Sequence, residues 1–414
     1  MKGINMDDNH NVTDAELIGF KKRLAIVILA YADYESLEIA LATHVRFSVN
    51  SGVDIYVLQN GRGTYDCERT YQVAKRYHYL CPDVIHVIDD IPPGIPFESL
   101  LTLFCSSRFE KYDYIIKMDD DVLVLTEDWI DKLCVCYLSS LKKYGNELAY
   151  VTSLVNNNPY GFSKIIEKSE NLSKEYYEKI ARVHYVGPDA DDPWAPNRVL
   201  PKTMIYSGSN GTIWRNSNIA RWLHKRTTLL PEEYIKLASG LGYEEVNNKE
   251  RYSINCILFE KKLWTEEIGN QSKDDEHLLH RYCLRNDKKI IADLSIPMVH
   301  LFFFIQRDHC RDMIDDIRLC YTDYLNLEFP ISLCSNRLIE IENRLRYLEK
   351  NGMQSKDHLD RLGNHLMGSL SNVNTKTQRK PNLISRGMQC LKNYGVIYTI
   401  KRAIILFKHK LKSS

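Results

Sequence analysis

Long apolar runs are missing from this 414-residue chain: the longest, at 24–32 and 301–305, fall far short of the roughly 20 residues needed to cross a bilayer. The first 22 residues are polar and acidic, without the basic-then-apolar order of a secretory leader, so no leader is expected. Net charge is nearly absent, with 55 Lys and Arg against 54 Asp and Glu, which supplies no overall field for nucleic acid. Cysteine is present but unpatterned. The eleven residues are odd in number, show no CxxC spacing and include no zinc quartet, so reduced thiols in a cytoplasmic protein are the expectation. Internal repeats are also lacking. At 44% apolar and 26% charged residues, the composition excludes wholesale disorder.

What is there alternates. Residues 24–31 (LAIVILAY) form a continuous β-branched run suited to a strand buried on both faces. Asp33 then offers an N-cap to a helix carrying Leu37, Leu41, Val45 and Val49 on one stripe. Further strands are expected at 53–58, 84–88, 112–118, 148–154, 289–292 and 298–304. Helices are expected at 65–77, 98–109, 127–143 with Thr126 as cap, 216–224 and 274–285. Residues 156–201 read as irregular. Strands alternating with helices imply a parallel α/β sheet, whose ligands sit beyond the carboxyl ends of its strands.

Asp119-Asp120-Asp121 stands at such an end. Three adjacent carboxylates repel one another unless a cation or solvent offsets them, and Mg²⁺ or Mn²⁺ takes oxygen ligands while keeping positions for phosphate. The plainer reading is a solvated acidic turn. Asp274, Asp275 and Glu276 precede the helix at 274–285, where acids also suit the helix dipole. His300 lies in an apolar strand, as a core histidine or as a ligand.

Together the segments LAIVILAY, VDIYVLQNG, YDYIIKMDDDV, KDDEHLLHR and MVH, spanning roughly 22–305, resemble GT-A glycosyltransferases, closest to the inverting family 2-like group of bacterial polysaccharide-building enzymes. The resemblance implies a Rossmann-like, mostly parallel sheet with flanking helices. It implies a metal (Mn²⁺ or Mg²⁺) on Asp121 and Asp119, joined by His300, and a nucleotide-sugar donor near Ala30, Tyr31, Asn60, Gly61, Lys117, Asp119 and Asp120. The acceptor, a saccharide or a lipid-linked saccharide, is implied near Ser207, Gly208 and Asp274, with Asp275 as the base. Asn60-Gly61 is also ordinary turn chemistry, Lys117 could simply line its strand, and 207–211 reads equally well as a hairpin turn. Leu29-Ala30-Tyr31-Ala32 stands where that family usually has Pro-Thr-Tyr-Asn. A sugar nucleotidyltransferase would need a glycine-rich basic loop after the first strand, and 30–36 has neither feature.

Beyond the catalytic stretch, taken as 22–330 after a polar lead-in at 1–21, the character changes. Residues 331–370 carry leucines at helical spacing, suited to a helical extension or to homo-oligomer contacts, and 371–390 is linker-like. From Lys376 to Ser414 there are ten Lys and Arg and no acid, so the rest of the chain carries −9. In 391–414, Ile400, Ala403, Ile404, Phe407 and Leu411 share one helical face and Lys401, Lys408 and Lys412 another. That pattern suits a basic amphipathic helix on the inner face of the cytoplasmic membrane, or one packed on protein.

Overall fold

The computed structural model describes residues 12–180, 217–247, 252–268, 274–302, 306–307 and 310–324. The chain divides into two units, Met1–Leu327 and Glu328–Ser414, and all described residues belong to the first. Ser207 and Gly208, the helical extension at 331–370, the linker and the basic helix at 391–414 lie outside the described residues.

The polar lead-in contains a helix, α1 (Asp14–Lys21), fixed by a reciprocal capping box between Thr13 and Glu16. Then follow β1 (Leu24–Ala30), α2 (Tyr34–Phe47), β2 (Asp54–Gln59), α3 (Tyr65–Leu80), β3 (Ile85–Ile88), α4 (Pro96–Phe104) and β4 (Tyr114–Asp119). Asp33 caps α2 by accepting from the Ser36 N–H, as its position suggested. α4 ends at Phe104, and residues 107–109 form a separate 3₁₀ turn.

The second half departs further from expectation. Val122–Val124 form a short strand, β5, ahead of α5 (Trp129–Tyr144), so the helix starts later than expected, with Asp128 rather than Thr126 at the N-cap position. β6 (Leu148–Val155) leads into α6 (Pro159–Lys168) and α7 (Glu170–Glu175), inside a stretch read as irregular. Asn158 as N-cap and Pro159 in the first turn start α6, a signal present in the sequence. After α8 (Ser217–Arg226) and α9 (Pro231–Ala238) come two unanticipated strands, β7 (Tyr243–Val246) and β8 (Cys256–Glu260). α10 (Asp275–Arg285) precedes β9 (Lys289–His300), a single twelve-residue strand where two were expected. The apparent break is absorbed by an irregularity: Ser153 pairs with Asp293 but Leu154 with Pro297, so 294–296 bulge out of register. α11 (Ile314–Tyr324) closes the unit.

The sheet runs β3-β2-β1-β4-β8-β6-β9-β5, with β7 paired to β9. Six of the nine strands, β1 to β4, β6 and β9, point the same way; β5, β7 and β8 oppose them. The fold is mixed α/β. β1 shows why: its Ala25 and Val27 join the apolar core on one face, and Leu24, Ile26, Ile28 and Ala30 that on the other. The carboxyl ends of β1, β4, β6 and β9 consequently meet along one edge, where the acids lie.

Candidate functional site

β4 ends at Asp119, the chain turns through Asp120 and Asp121, and β5 then pairs antiparallel with β9, placing Val122 opposite His300. This register sets His300 Nε2 3.3 Å from Asp121 Oδ2. The Leu301 N–H donates to the Asp121 carbonyl (3.0 Å) and the Phe302 N–H to Asp121 Oδ2 (3.2 Å). His300 Nδ1 lies 2.9 Å from the Asn157 carbonyl oxygen, which only accepts, so Nδ1 donates there and Nε2 is the ring atom turned to Asp121. A proton between Nε2 and the carboxylate, or a cation bound by both, satisfies that pair. One ligand atom from each of Asp119, Asp121 and His300 lies within 4.8 Å of the others. Two carboxylates and an imidazole suit Mn²⁺ or Mg²⁺ by donor chemistry, and a histidine held by a carbonyl through its other nitrogen is the usual support of a metal ligand.

The surrounding field fits a site that gathers negative charge and partly offsets it. Burial pushes the Asp121 carboxyl above the ordinary carboxylate range, with His300 pulling it down and Asp119 pushing it up. Burial, then Asp121 and Asp33, hold Asp120 well above that range. Asp120 is turned toward β1, where its Oδ2 accepts the Tyr31 N–H at 3.0 Å. Arg307, which sequence reading missed, places Nε 3.2 Å from Asp33 Oδ2, and its positive charge also feels Asp121 and Asp120.

Lys117 joins the two acidic groups. Its Nζ lies 2.7 Å from Asp119 Oδ1, 3.2 Å from the Ile254 carbonyl and 4.0 Å from Asp275 Oδ2. Burial works against the ammonium charge, but Asp119 and Asp275 outweigh it and its pKa is raised. Asp275 opens α10 and accepts the Glu276 N–H at Oδ1; burial raises its carboxyl, with Lys117 opposing. Asp274 caps α10 by accepting from the His277 N–H at 3.0 Å, the role helix chemistry would assign it.

At the far side of the edge, Tyr31 follows Ala30 and is 60% exposed as a residue. The Asn60 side chain is engaged internally: Oδ1 accepts from the Gly94 N–H (3.1 Å) and Ser99 Oγ (2.7 Å), and Nδ2 donates to the Gly94 carbonyl (3.0 Å). It therefore clamps the segment before α4 to the end of β2. Gly61 is required by close approach, since a Cβ there would sit 2.6 Å from the Tyr31 carbonyl oxygen and 2.6 Å from Cys67 Sγ.

No protein-family profile and no curated protein matches the chain. Solved structures do. A mannosyltransferase from Pyrobaculum calidifontis, in complex with GDP-Man and Mn²⁺, is 11% identical, with 92% of this chain and 85% of that one covered at a TM-score of 0.38. Glucosyl-3-phosphoglycerate synthase from Mycobacterium tuberculosis, with Mn²⁺, UDP-glucose and phosphoglyceric acid, is 13% identical over 77% of this chain and 86% of that one, at a TM-score of 0.35. The same synthase with Mg²⁺ and UDP aligns at a TM-score of 0.32. At such distances the function has to be argued from the residues of the site itself.

Proposed function

We propose that the chain is a metal-dependent, inverting glycosyltransferase that moves a sugar from a nucleotide-sugar donor to a saccharide or lipid-linked acceptor during assembly of a surface polysaccharide. The observation that carries this reading is the convergence of Asp119, Asp121 and His300, with Asp275 tied to the same cluster through Lys117. When bound by these three ligands, Mn²⁺ or Mg²⁺ supplies positive charge against a departing nucleoside diphosphate. Arg307 adds a fixed positive charge on the Asp33 side. The exposed Tyr31 ring offers a flat face to a base, and Gly61 keeps the end of β2 close beside it.

Asp275 serves as general base in this proposal. Its carboxylate takes the proton of the acceptor hydroxyl as that oxygen bonds to the anomeric carbon and the bond from that carbon to the diphosphate breaks. Burial makes Asp275 more basic than a solvated carboxylate, while Lys117 keeps the charged form accessible. Among the described residues no helix is long and apolar enough to cross a membrane. The basic helix at 391–414 is proposed to hold the protein on the cytoplasmic face of the membrane, beside a lipid-linked acceptor.

The test is purified protein with Mn²⁺ and a panel of UDP- and GDP-sugars, followed by release of nucleoside diphosphate and, once transfer is found, the anomeric configuration of the product by NMR. A retained configuration would overturn the inverting assignment. Absence of both turnover and metal-dependent nucleotide binding across the panel would overturn the enzymatic one.

A further inference from the structure

Three consecutive asparagines at the end of β6, Asn156 to Asn158, are fully buried, and each has its side chain spoken for. Asn156 Oδ1 accepts the His300 N–H at 3.0 Å while its Nδ2 donates to Thr227 Oγ1 (2.8 Å) and Thr228 Oγ1 (3.0 Å). The Asn157 backbone carbonyl accepts a hydrogen bond from His300 Nδ1 at 2.9 Å. Asn158 acts toward the other end of the cluster. Its Oδ1 accepts the Tyr160 N–H (2.9 Å) at the start of α6, so its Nδ2 must face the other way, donating to the Ser253 carbonyl (2.9 Å) and to Asn255 Oδ1 (3.0 Å). With Oδ1 so occupied, Asn255 presents Nδ2 to Asp119 Oδ2 at 3.0 Å.

The amide orientations are thus fixed by chemistry. Turning Asn158 over would set an NH₂ group against the outward N–H groups of a helix start, and turning Asn255 over would set a carbonyl oxygen against a carboxylate. Asp119 has one donor on each oxygen, Lys117 on Oδ1 and Asn255 on Oδ2, so the plane of its carboxylate is pinned and its remaining lone pairs have a set direction.

Resting on the metal reading above, we propose that Asn158 and Asn255 are positioning residues, a two-amide relay from the start of α6 that aims Asp119 at the cation. Outer-shell partners of this kind are worth about 10- to 100-fold in metal affinity. The three-asparagine run would then orient two of the three ligands, one directly and one through Asn255.

The experiment is a calorimetric Mn²⁺ titration of the full chain without nucleotide, comparing wild type, Asp119→Ala, Asn255→Ala, Asn158→Asp and the Asn158→Asp/Asn255→Ala double variant. Asn158→Asp keeps an oxygen on the α6 start but turns the buried donor into an acceptor facing the Ser253 carbonyl and Asn255 Oδ1. Expected are losses of about 10- to 100-fold in affinity for each asparagine variant, a double variant no weaker than the weaker single one, and metal-free urea midpoints below wild type, because buried partners are left unpaired, with a single cooperative transition kept. Wild-type affinity in both single variants, with Asp119→Ala binding poorly, would overturn the relay and leave the metal site standing. Additive losses in the double variant would also overturn the relay, as would the failure of both single variants to fold. A wild-type protein that takes up no Mn²⁺ would overturn the metal reading and this one with it.

Discussion

The imidazole of His300 faces the carboxylate of Asp121 at 3.3 Å, across the antiparallel pairing of β5, the shortest strand among the described residues, with β9, the longest. Neither residue is near the other in sequence; the register of one three-residue strand brings them together. Asp121→Asn is expected to abolish Mn²⁺ binding in calorimetry. Burial and neighbouring acids raise the Asp121 carboxyl, so its ionised form burdens the metal-free fold. In EDTA the variant should therefore melt at or above wild type, with a rise of about 2–4 °C corresponding to roughly 1 kcal/mol.

Asp275→Asn separates binding from chemistry. The amide keeps the size of the side chain and an oxygen for the Glu276 N–H, but cannot take a proton. Transfer should fall by about 10² to 10⁴-fold while Mn²⁺-dependent nucleotide affinity stays within about threefold. Steady-state rates alongside calorimetry check both halves.

Acid should destabilise the fold through two buried histidines. His44, whose Nδ1 lies 3.0 Å from Ser48 Oγ, and His224 are each pushed down to about 3, burial being the leading cause. Unfolded histidine binds its proton near pH 6.5, so the unfolded state takes up more protons below that value, and stability present above pH 6.5 is lost as pH falls toward 3. Each contributes a slope of about 1.4 kcal/mol per pH unit within that window. The raised acids act in the opposite sense, so the clean measurement is a difference: urea midpoints from pH 7 to 4.5 should fall less steeply in His44→Gln than in wild type.

Gly61→Ala should cost about 1–3 kcal/mol, because the new methyl meets the Tyr31 backbone and Cys67 with nothing flexible to yield on the backbone side. A lowered urea midpoint with an unchanged slope is the expected record, together with weaker nucleotide binding, since Tyr31 is displaced.

The parallel half of the sheet was legible because its strands are buried on both faces and so appear as unbroken apolar runs, LAIVILA above all. The opposing strands were not. β7 is partly exposed, β8 has only five residues, and β5 has three, too short for any period to show. β9 looked like two strands because Pro297 and Ser295 read as punctuation, whereas the sheet takes the extra residues up in a bulge. Among the site residues, the acids announced themselves by local density, and Asp33 by cap position. Lys117 was visible, but not its bridging role, which depends on α10 returning beside β4. Asn157 and Asn255 carry no charge and little spacing signal, so only their burial marks them, and the cap signal of Asn158 before Pro159 says nothing of its other partners. Arg307 was hidden for a different reason: its partner Asp33 comes from the first loop of the fold.

Gly161 admits no substitute. A Cβ at that position would fall 1.8 Å from the carbonyl oxygen of Val155, inside the electron cloud of the last residue of β6. From a library randomised at codon 161 and selected for folded protein, glycine alone should be recovered. At Gly161 the first turn of α6 is seated on the strand so tightly that a single hydrogen is all the space between them, and the asparagines joining the two have no slack in which to drift.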